Sequence, residues 1–184
     1  ASGAGIIVLE SEKSVKERNA KPISYITGFG ANSNGADMVV PSPDSSAEVM
    51  RMAIEDAKIA KDAVDYINTH GTSTLLGDAS EMAAIKNLFG EHAPKITVNS
   101  TKSMTGHMIG ASGAVETIFC SMMIEKSFIS PSLNLENPDD EFMWANFAKT
   151  TVENIKIRHA LNNSFGFGGT NASIIISSPE VFMW

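Results

Sequence analysis

With 184 residues, 43% hydrophobic and 19% charged, the chain has material for one buried core and too little length for two domains. Its 14 basic and 21 acidic residues leave a net charge of −7, which excludes the basic face that a nucleic-acid binder needs. No apolar run approaches the roughly 18 residues that cross a bilayer. The single Cys120 excludes an intramolecular disulfide and fits a reducing compartment.

The start, Ala1 to Glu10, lacks both an initiator Met and the basic n-region of a signal peptide, so the sequence reads as one cut from a longer protein. Gly5 to Leu9 is a short apolar run, predicted as a buried strand, and Ser14 to Asn19 is a polar connector. Ile23 to Phe29 is rich in β-branched and aromatic residues and predicts a strand. Asn32 to Asp37 and Pro41-Ser-Pro43 carry turn chemistry. Ser45 to Ala60 predicts a helix with Ser45 or Ser46 as N-cap, because Met50, Ala53, Ile54 and Ala57 form one apolar stripe. Val64 to Asn68 predicts a strand that delivers Thr69 and His70 at its C-terminal end. Leu76 to Phe89 predicts a helix closed by Gly90. Ile96 to Asn99 is the next strand. Met108 to Lys126 is a long helix with Val115, Ile118, Phe119 and Met122 as its stripe. Ser130 to Trp144 is loop-like. Strands follow at Thr150–Ile157, His159–Asn163 and Thr170–Ser177, the last two joined by the sharp Gly-rich turn at 165–169. This alternation predicts one α/β domain over residues 1–184, a mixed sheet covered by helices.

Three segments fall where α/β folds place their chemistry, beyond strand ends. The first is Asn68-Thr-His-Gly-Thr-Ser-Thr74, a His and three hydroxyl residues around a glycine at a strand-to-helix turn. Its hydroxyls can hydrogen-bond a polar ligand arm; the plain alternative is an N-cap cluster with an exposed His. The second is Ser100-Thr-Lys-Ser-Met-Thr-Gly-His-Met108. A helix N-terminus and Lys102 both disfavour imidazolium at His107, and a neutral, hydrogen-bond-donating His suits an oxyanion. The third is Asn163-Ser-Phe-Gly-Phe-Gly-Gly-Thr-Asn171, a backbone passing close to something between aromatic walls, or a tight hairpin with core Phe. Cys120 lies mid-helix with no adjacent His and reads as a core thiol. The four His lack the short spacing of zinc ligands, and no phosphate-binding Gly-Lys motif or nucleophile elbow is present.

In order and separation, His70-Gly-Thr-Ser-Thr74, Lys102-Ser-Met-Thr-Gly-His107 and the segment from Asn163 resemble the C-terminal motifs of the β-ketoacyl-acyl-carrier-protein synthases, from about Gly3 to Ser178. Asn34-Gly-Ala-Asp-Met38 with Pro41-Ser42 looks more like the type I elongating enzymes than type II. The resemblance implies the C-terminal half of a thiolase-like fold, with the half bearing the nucleophilic Cys outside this chain, so that the piece alone is expected to be inactive. It implies decarboxylative Claisen condensation in fatty-acid elongation by the full-length parent. His70 and His107 resemble the two active-site histidines that stabilise the enolate of malonyl-carrier protein. Lys102 resembles the lysine that orients them and Glu116 its acidic partner. Thr72 and Thr74 resemble the threonines that bind the phosphopantetheine arm. The Phe167 N–H resembles an oxyanion-hole donor and its ring a gate to the acyl pocket, with Phe165 beside it. Asn68, Glu81, Glu116 and Asn163 resemble a set that surrounds a buried monovalent cation in some relatives, although Asn162 stands where Ser is expected; no other metal and no cofactor is implied. Acyl carrier protein is the implied partner and a cytoplasmic homodimer the implied state of the parent. The competing readings are a non-condensing carrier-protein-binding or chain-length partner module, which retention of both histidines disfavours, and a thiolase, whose second Cys the Phe165–Gly169 loop lacks.

Overall fold

A computed structural model describes residues 1–35, 37 and 41–182. In chain order the regular elements are α1 (Glu12–Glu17), β1 (Tyr25–Ser33), α2 (Pro43–Asp56), β2 (Tyr66–Asn68), α3 (Leu75–Phe89), β3 (Thr97–Asn99), α4 (Lys102–Thr105), α5 (Ser112–Lys126), β4 (Phe128–Ile129), β5 (Asn146–Phe147), β6 (Val152–Glu153), β7 (His159–Phe165) and β8 (Thr170–Ser177). Short 3₁₀ turns join several of them. Six strands form one mixed sheet in the order β1-β8-β7-β2-β3-β5, while β4 and β6 make a small separate ribbon. β8 runs antiparallel to both neighbours; β7, β2, β3 and β5 are mutually parallel. The C-terminal ends of β7, β2 and β3 therefore lie along one edge.

Strand alternation sends neighbouring residues to opposite faces. Ile67, Leu161 and Ile175 join Met50, Ala53 and Ile54 of α2 with Ile85 and Phe89 of α3 in one core. Their neighbours Tyr66, Ala160 and Ile176 join Cys120, Met123 and Ile124 of α5 in the other. The result is a sheet between helices, the predicted α/β architecture. β1 comes so close to α2 that a Cβ at Gly28 would overlap the Ala53 carbonyl, so only glycine fits there. Among the described residues no helix is long and apolar enough to cross a membrane.

Several predicted boundaries differ. Gly5 to Leu9 is not a strand. Among the described residues it pairs with no strand; Gly5 meets Ala114 and Val115 of α5, and Ile6 and Val8 are 87% and 89% exposed. A strand needs a ladder partner, which apolarity alone does not supply. The connector at Ser14–Asn19 is largely helical, because Ser11 caps α1 by accepting from Ser14 N–H and Lys16 pairs with Glu12 one turn away. α2 starts two residues before the predicted helix, with Ser42 rather than Ser45 or Ser46 as cap and Pro43 in its first turn. β1 continues through Asn32 and Ser33, where a turn was expected; Ala36 and Met38 of that stretch lie outside the described residues. The strand predicted at Thr150–Ile157 shrinks to Val152–Glu153, since Asn154 takes the left-handed conformation at φ 56°.

The helix predicted from Met108 begins only at Ser112. Gly106 and Ile109 both have positive φ, 71° and 52°, and break it. Its predicted stripe is also rotated away from the sheet. α5 buries Ser112, Glu116, Thr117, Cys120, Met123 and Ile124, while Met122 is 46% exposed and Val115 and Ile118 are half-buried. Lys102, expected in a loop, starts the single turn α4.

Leu161 is fully buried in the central strand β7. Leu161→Ala should lower stability by about 2–5 kcal/mol, read as a lowered urea midpoint at unchanged m-value.

Candidate active site

Because β2, β3 and β7 are parallel, the segments that follow them meet at one edge of the sheet. β2 delivers His70, β3 delivers α4 with Lys102 and then His107, and β7 ends on Phe165. The His70 and His107 rings stand edge to face with centroids 5.3 Å apart, and the His70 ring lies 5.9 Å from that of Phe165.

Glu81, reaching back from α3, fixes the His70 loop. Its buried carboxylate accepts the His70 and Gly71 N–H groups at 2.9 and 3.0 Å and the Asn163 side-chain N–H at 2.9 Å. Gly71 has φ 38°, and a Cβ there would come within 2.8 Å of the Ser100 hydroxyl, whose proton goes to the Gly71 carbonyl. Thr72 and Thr74 stand side by side, hydroxyls 3.2 Å apart.

His107 is held by the start of α5. Its Nδ1 accepts the Ile109 N–H at 3.3 Å and lies 3.2 Å from the Ser112 hydroxyl. That hydroxyl oxygen accepts the Met108 N–H, leaving its own proton for Nδ1. With Nδ1 an acceptor, a neutral His107 carries its proton on Nε2. Behind the histidines Lys102 Nζ meets Glu116 Oε1 at 2.6 Å, both side chains almost fully buried. Burial, then the Lys102 ammonium, then His107 push His70 down to about 3. Burial and Lys102 lower His107 as well. Both imidazoles are therefore neutral at physiological pH and can donate hydrogen bonds without bringing charge. Cys120 is fully buried, and burial and the Glu116 carboxylate raise its thiol well beyond the ordinary range.

A cavity of about 670 Å³ opens beside these groups, lined among others by Thr72, Thr74, Lys102, His107, Leu133 and Asp139. A smaller recess takes in His70, Gly71, Thr72, Asp78, Glu81 and Phe165. Thus His70, His107, Lys102, Glu116, Thr72, Thr74 and Phe165 share one region. Phe167 follows in the same turn, but its ring is 81% exposed and lines neither cavity. Sequence reasoning missed two contributors. Ser112, the hydroxyl that braces His107, carries only the faint signal of a Ser five residues beyond the His at a helix start. The loop after β4, read only as loop-like, lines the larger cavity with Leu133, Leu135, Pro138 and Asp139.

Asn68, Glu81, Glu116 and Asn163 are all buried near this site. A bare cation away from water needs several oxygens with free lone pairs turned on it. Here Asn68 Oδ1 accepts the Thr101 N–H, both Glu81 oxygens accept N–H groups, and Asn163 Oδ1 accepts the Ser173 hydroxyl. Of the carboxylate and amide oxygens in the set, Glu116 Oε2 alone is buried without a partner. With Glu116 Oε2 the one uncommitted oxygen of the set, the residues fit a cation poorly. Among the described residues no group of three or more His, Cys, Asp or Glu is arranged to hold a metal either.

A mixed sheet between helices, carrying two neutral histidines and a buried Lys–Glu pair at the ends of its parallel strands, places the chain among thiolase-like domains. The family description "Beta-ketoacyl synthase, C-terminal domain" matches residues 23–136, and the chain belongs to that family. It is 44% identical to the 3-oxoacyl-[acyl-carrier-protein] synthase 1 of Haemophilus influenzae over 95% of its own length and 42% of the relative's. It is also 44% identical to the synthase 2 of Coxiella burnetii over the same shares. A β-ketoacyl synthase from Burkholderia phymatum superposes with a TM-score of 0.86 at 36% identity, over 92% of this chain and 41% of that one. So does a type II polyketide ketosynthase solved in complex with its acyl-carrier protein, with a TM-score of 0.86 at 33% identity over 92% and 42%. The chain spans about two fifths of the length of the curated relatives it matches.

Replacing the buried ammonium, as in Lys102→Met, should let His70 titrate above its present value of about 3, though not fully to 6.5, because burial is the larger cause. NMR titration of the His70 ring checks this. An exposed imidazole protonates near 6.5, whereas folding holds His70, His107 and the buried His159 below that. The unfolded chain then binds the extra protons, so the histidine contribution to stability is full above about pH 6.5 and declines as pH falls below it, offset in part by buried Glu81 and Glu116, whose carboxyls burial raises. Urea midpoints at pH 7.5 and 5.5 should differ in that direction.

Proposed function

We propose that the full-length protein containing this chain is a 3-oxoacyl-[acyl-carrier-protein] synthase that condenses an acyl thioester with malonyl-carrier protein. One observation carries the reading: two imidazoles, 5.3 Å apart and both held neutral by burial and Lys102, at the rim of a cavity lined by Thr72 and Thr74. When malonyl loses carbon dioxide, the electron pair of the breaking C–C bond moves toward the thioester carbonyl oxygen. N–H groups of His70 and His107 stabilise that developing oxyanion, and each such donor is worth about 3 kcal/mol. The His107 donor is Nε2–H, since Nδ1 is occupied by Ile109 and Ser112. The enolate carbon then attacks an acyl thioester held on a cysteine outside this chain, the new C–C bond forms, and the cysteine leaves as thiolate. Thr72 and Thr74 hydrogen-bond the phosphopantetheine arm. The family resemblance gives the Phe167 N–H to the acyl-transfer oxyanion and its ring, with Phe165, to gating an acyl pocket, one whose remaining walls lie outside the two cavities of this chain. Carrier protein as partner, cytoplasmic location and a homodimeric parent belong to the same reading, carried by the family resemblance.

The non-condensing partner reading loses ground because both histidines are present, braced and neutral. A catalytically silent module has no use for that arrangement.

In the full-length protein, His70→Ala and His107→Ala should each lower malonyl decarboxylation at least about 100-fold while leaving acyl transfer onto the cysteine less affected. Decarboxylation and acyl-enzyme formation are measured separately with radiolabelled thioesters. Near-normal decarboxylation in either variant overturns the assignment. The 184-residue chain alone should form no 3-ketoacyl product and no acyl-enzyme, because its one thiol is buried and protonated.

A further inference from the structure

In the buried polar cluster beside the site, Asn162 fixes the orientation of the Asn68 amide. The Asn68 amide can be oriented in one way only. Thr101 N–H, a donor, lies 3.2 Å from one end of that amide, so that end is the oxygen. The amide nitrogen therefore faces Asn162, and it donates to Asn162 Oδ1 at 2.7 Å. All three residues are buried, Asn162 at 3% exposure and Asn68 and Thr101 at 0%. The chain of bonds runs from β7 through β2 to Thr101, the residue that opens the turn carrying Lys102. A serine hydroxyl at position 162 is too short to span the distance that the Asn amide covers, and would leave the Asn68 nitrogen buried without an acceptor. The positive charge beside Glu116 is already supplied by Lys102 at 2.6 Å.

We propose that the Asn162–Asn68–Thr101 hydrogen-bond chain, in place of a monovalent cation, fastens the Lys102 turn in this protein. Asn162 is thus a positioning residue: it acts on His70 and His107 through the placement of Lys102. An ion added here would meet one uncommitted oxygen, Glu116 Oε2, and would share Asn68 Oδ1, Glu81 Oε2 and Asn163 Oδ1 with donors already bound to them. The inference rests on the described geometry of the site and not on the reaction assigned to it, and its test reads no condensation.

The thermal midpoint of the full-length protein is measured in potassium, sodium and choline chloride at equal ionic strength, for the native sequence and for Asn162→Ser. The native protein should melt within about 1 °C in all three salts, because a ligand that does not bind the folded state cannot shift the midpoint. Asn162→Ser should melt at least about 3 °C lower in choline chloride, from the loss of an acceptor for a buried donor. Its His70 ring should titrate higher by NMR, since a loosened Lys102 disfavours imidazolium less. A native midpoint several degrees higher in potassium or sodium than in choline overturns the proposal, as does an Asn162→Ser protein unchanged in both midpoint and His70 titration. If the variant does not fold, the salt series on the native protein decides alone.

Discussion

The Lys102–Glu116 ion pair is the interaction on which the site depends. Two charges taken out of water cost several kcal/mol each in desolvation, and they persist only where geometry returns that energy. The two residues belong to different elements, α4 and α5, and the pair holds those elements together across a backbone that Gly106 and Ile109 have turned into left-handed conformations. That turn is what places His107 against the start of α5, where Ile109 N–H and Ser112 orient its ring. The ammonium also lies close enough to both imidazoles to keep them unprotonated. One buried pair thus ties the two elements that place His107 and, after burial, adds the second cause that keeps both histidines unprotonated.

What the sequence makes legible follows from the same geometry. His70, Lys102 and His107, and Phe165 each follow a predicted strand, and a βα crossover fold brings the C-terminal ends of parallel strands to one edge. Residues 32 or more apart in sequence could therefore be placed together without coordinates. Elements whose burial is simple are legible too. Thr170–Ser177 is a strand to the residue, and α3 begins one residue before its predicted start and ends on the predicted Phe89, closed by Gly90.

The illegible parts are those in which an element answers to two environments. Of the stripe of Val115, Ile118, Phe119 and Met122 only Phe119 packs against the core, and α5 otherwise meets the sheet with Glu116, Thr117, Cys120, Met123 and Ile124. Glu116 faces inward, where it meets Lys102 at 2.6 Å. Periodicity reports hydrophobicity and carries no information on a buried ion pair fourteen residues away. Gly5–Leu9 fails for a related reason: its composition specifies a strand, while the six-stranded sheet leaves it no ladder to join. The expected cation set shows a third limit. Asn162 accepts from the Asn68 amide nitrogen, while Glu81 and Asn163 oxygens are taken by donors from other elements, partnerships that residue types alone do not reveal.

The chain's electrostatics also explain why its own thiol is silent. A nucleophilic cysteine needs positive potential and partial access to water. Cys120 has neither. It faces the core that contains Tyr66, and its nearest influential charge is the Glu116 carboxylate, which opposes thiolate formation. The ammonium that might have countered this is paired with Glu116 on the side of the histidines. Low polarity and a committed cation favour neutral donors waiting for an oxyanion, and the same conditions suppress a resident thiolate. Stabilising an incoming enolate and generating an attacking sulfur ask for opposite fields, so a protein that performs both must place the sulfur on a different element, beyond the reach of Glu116.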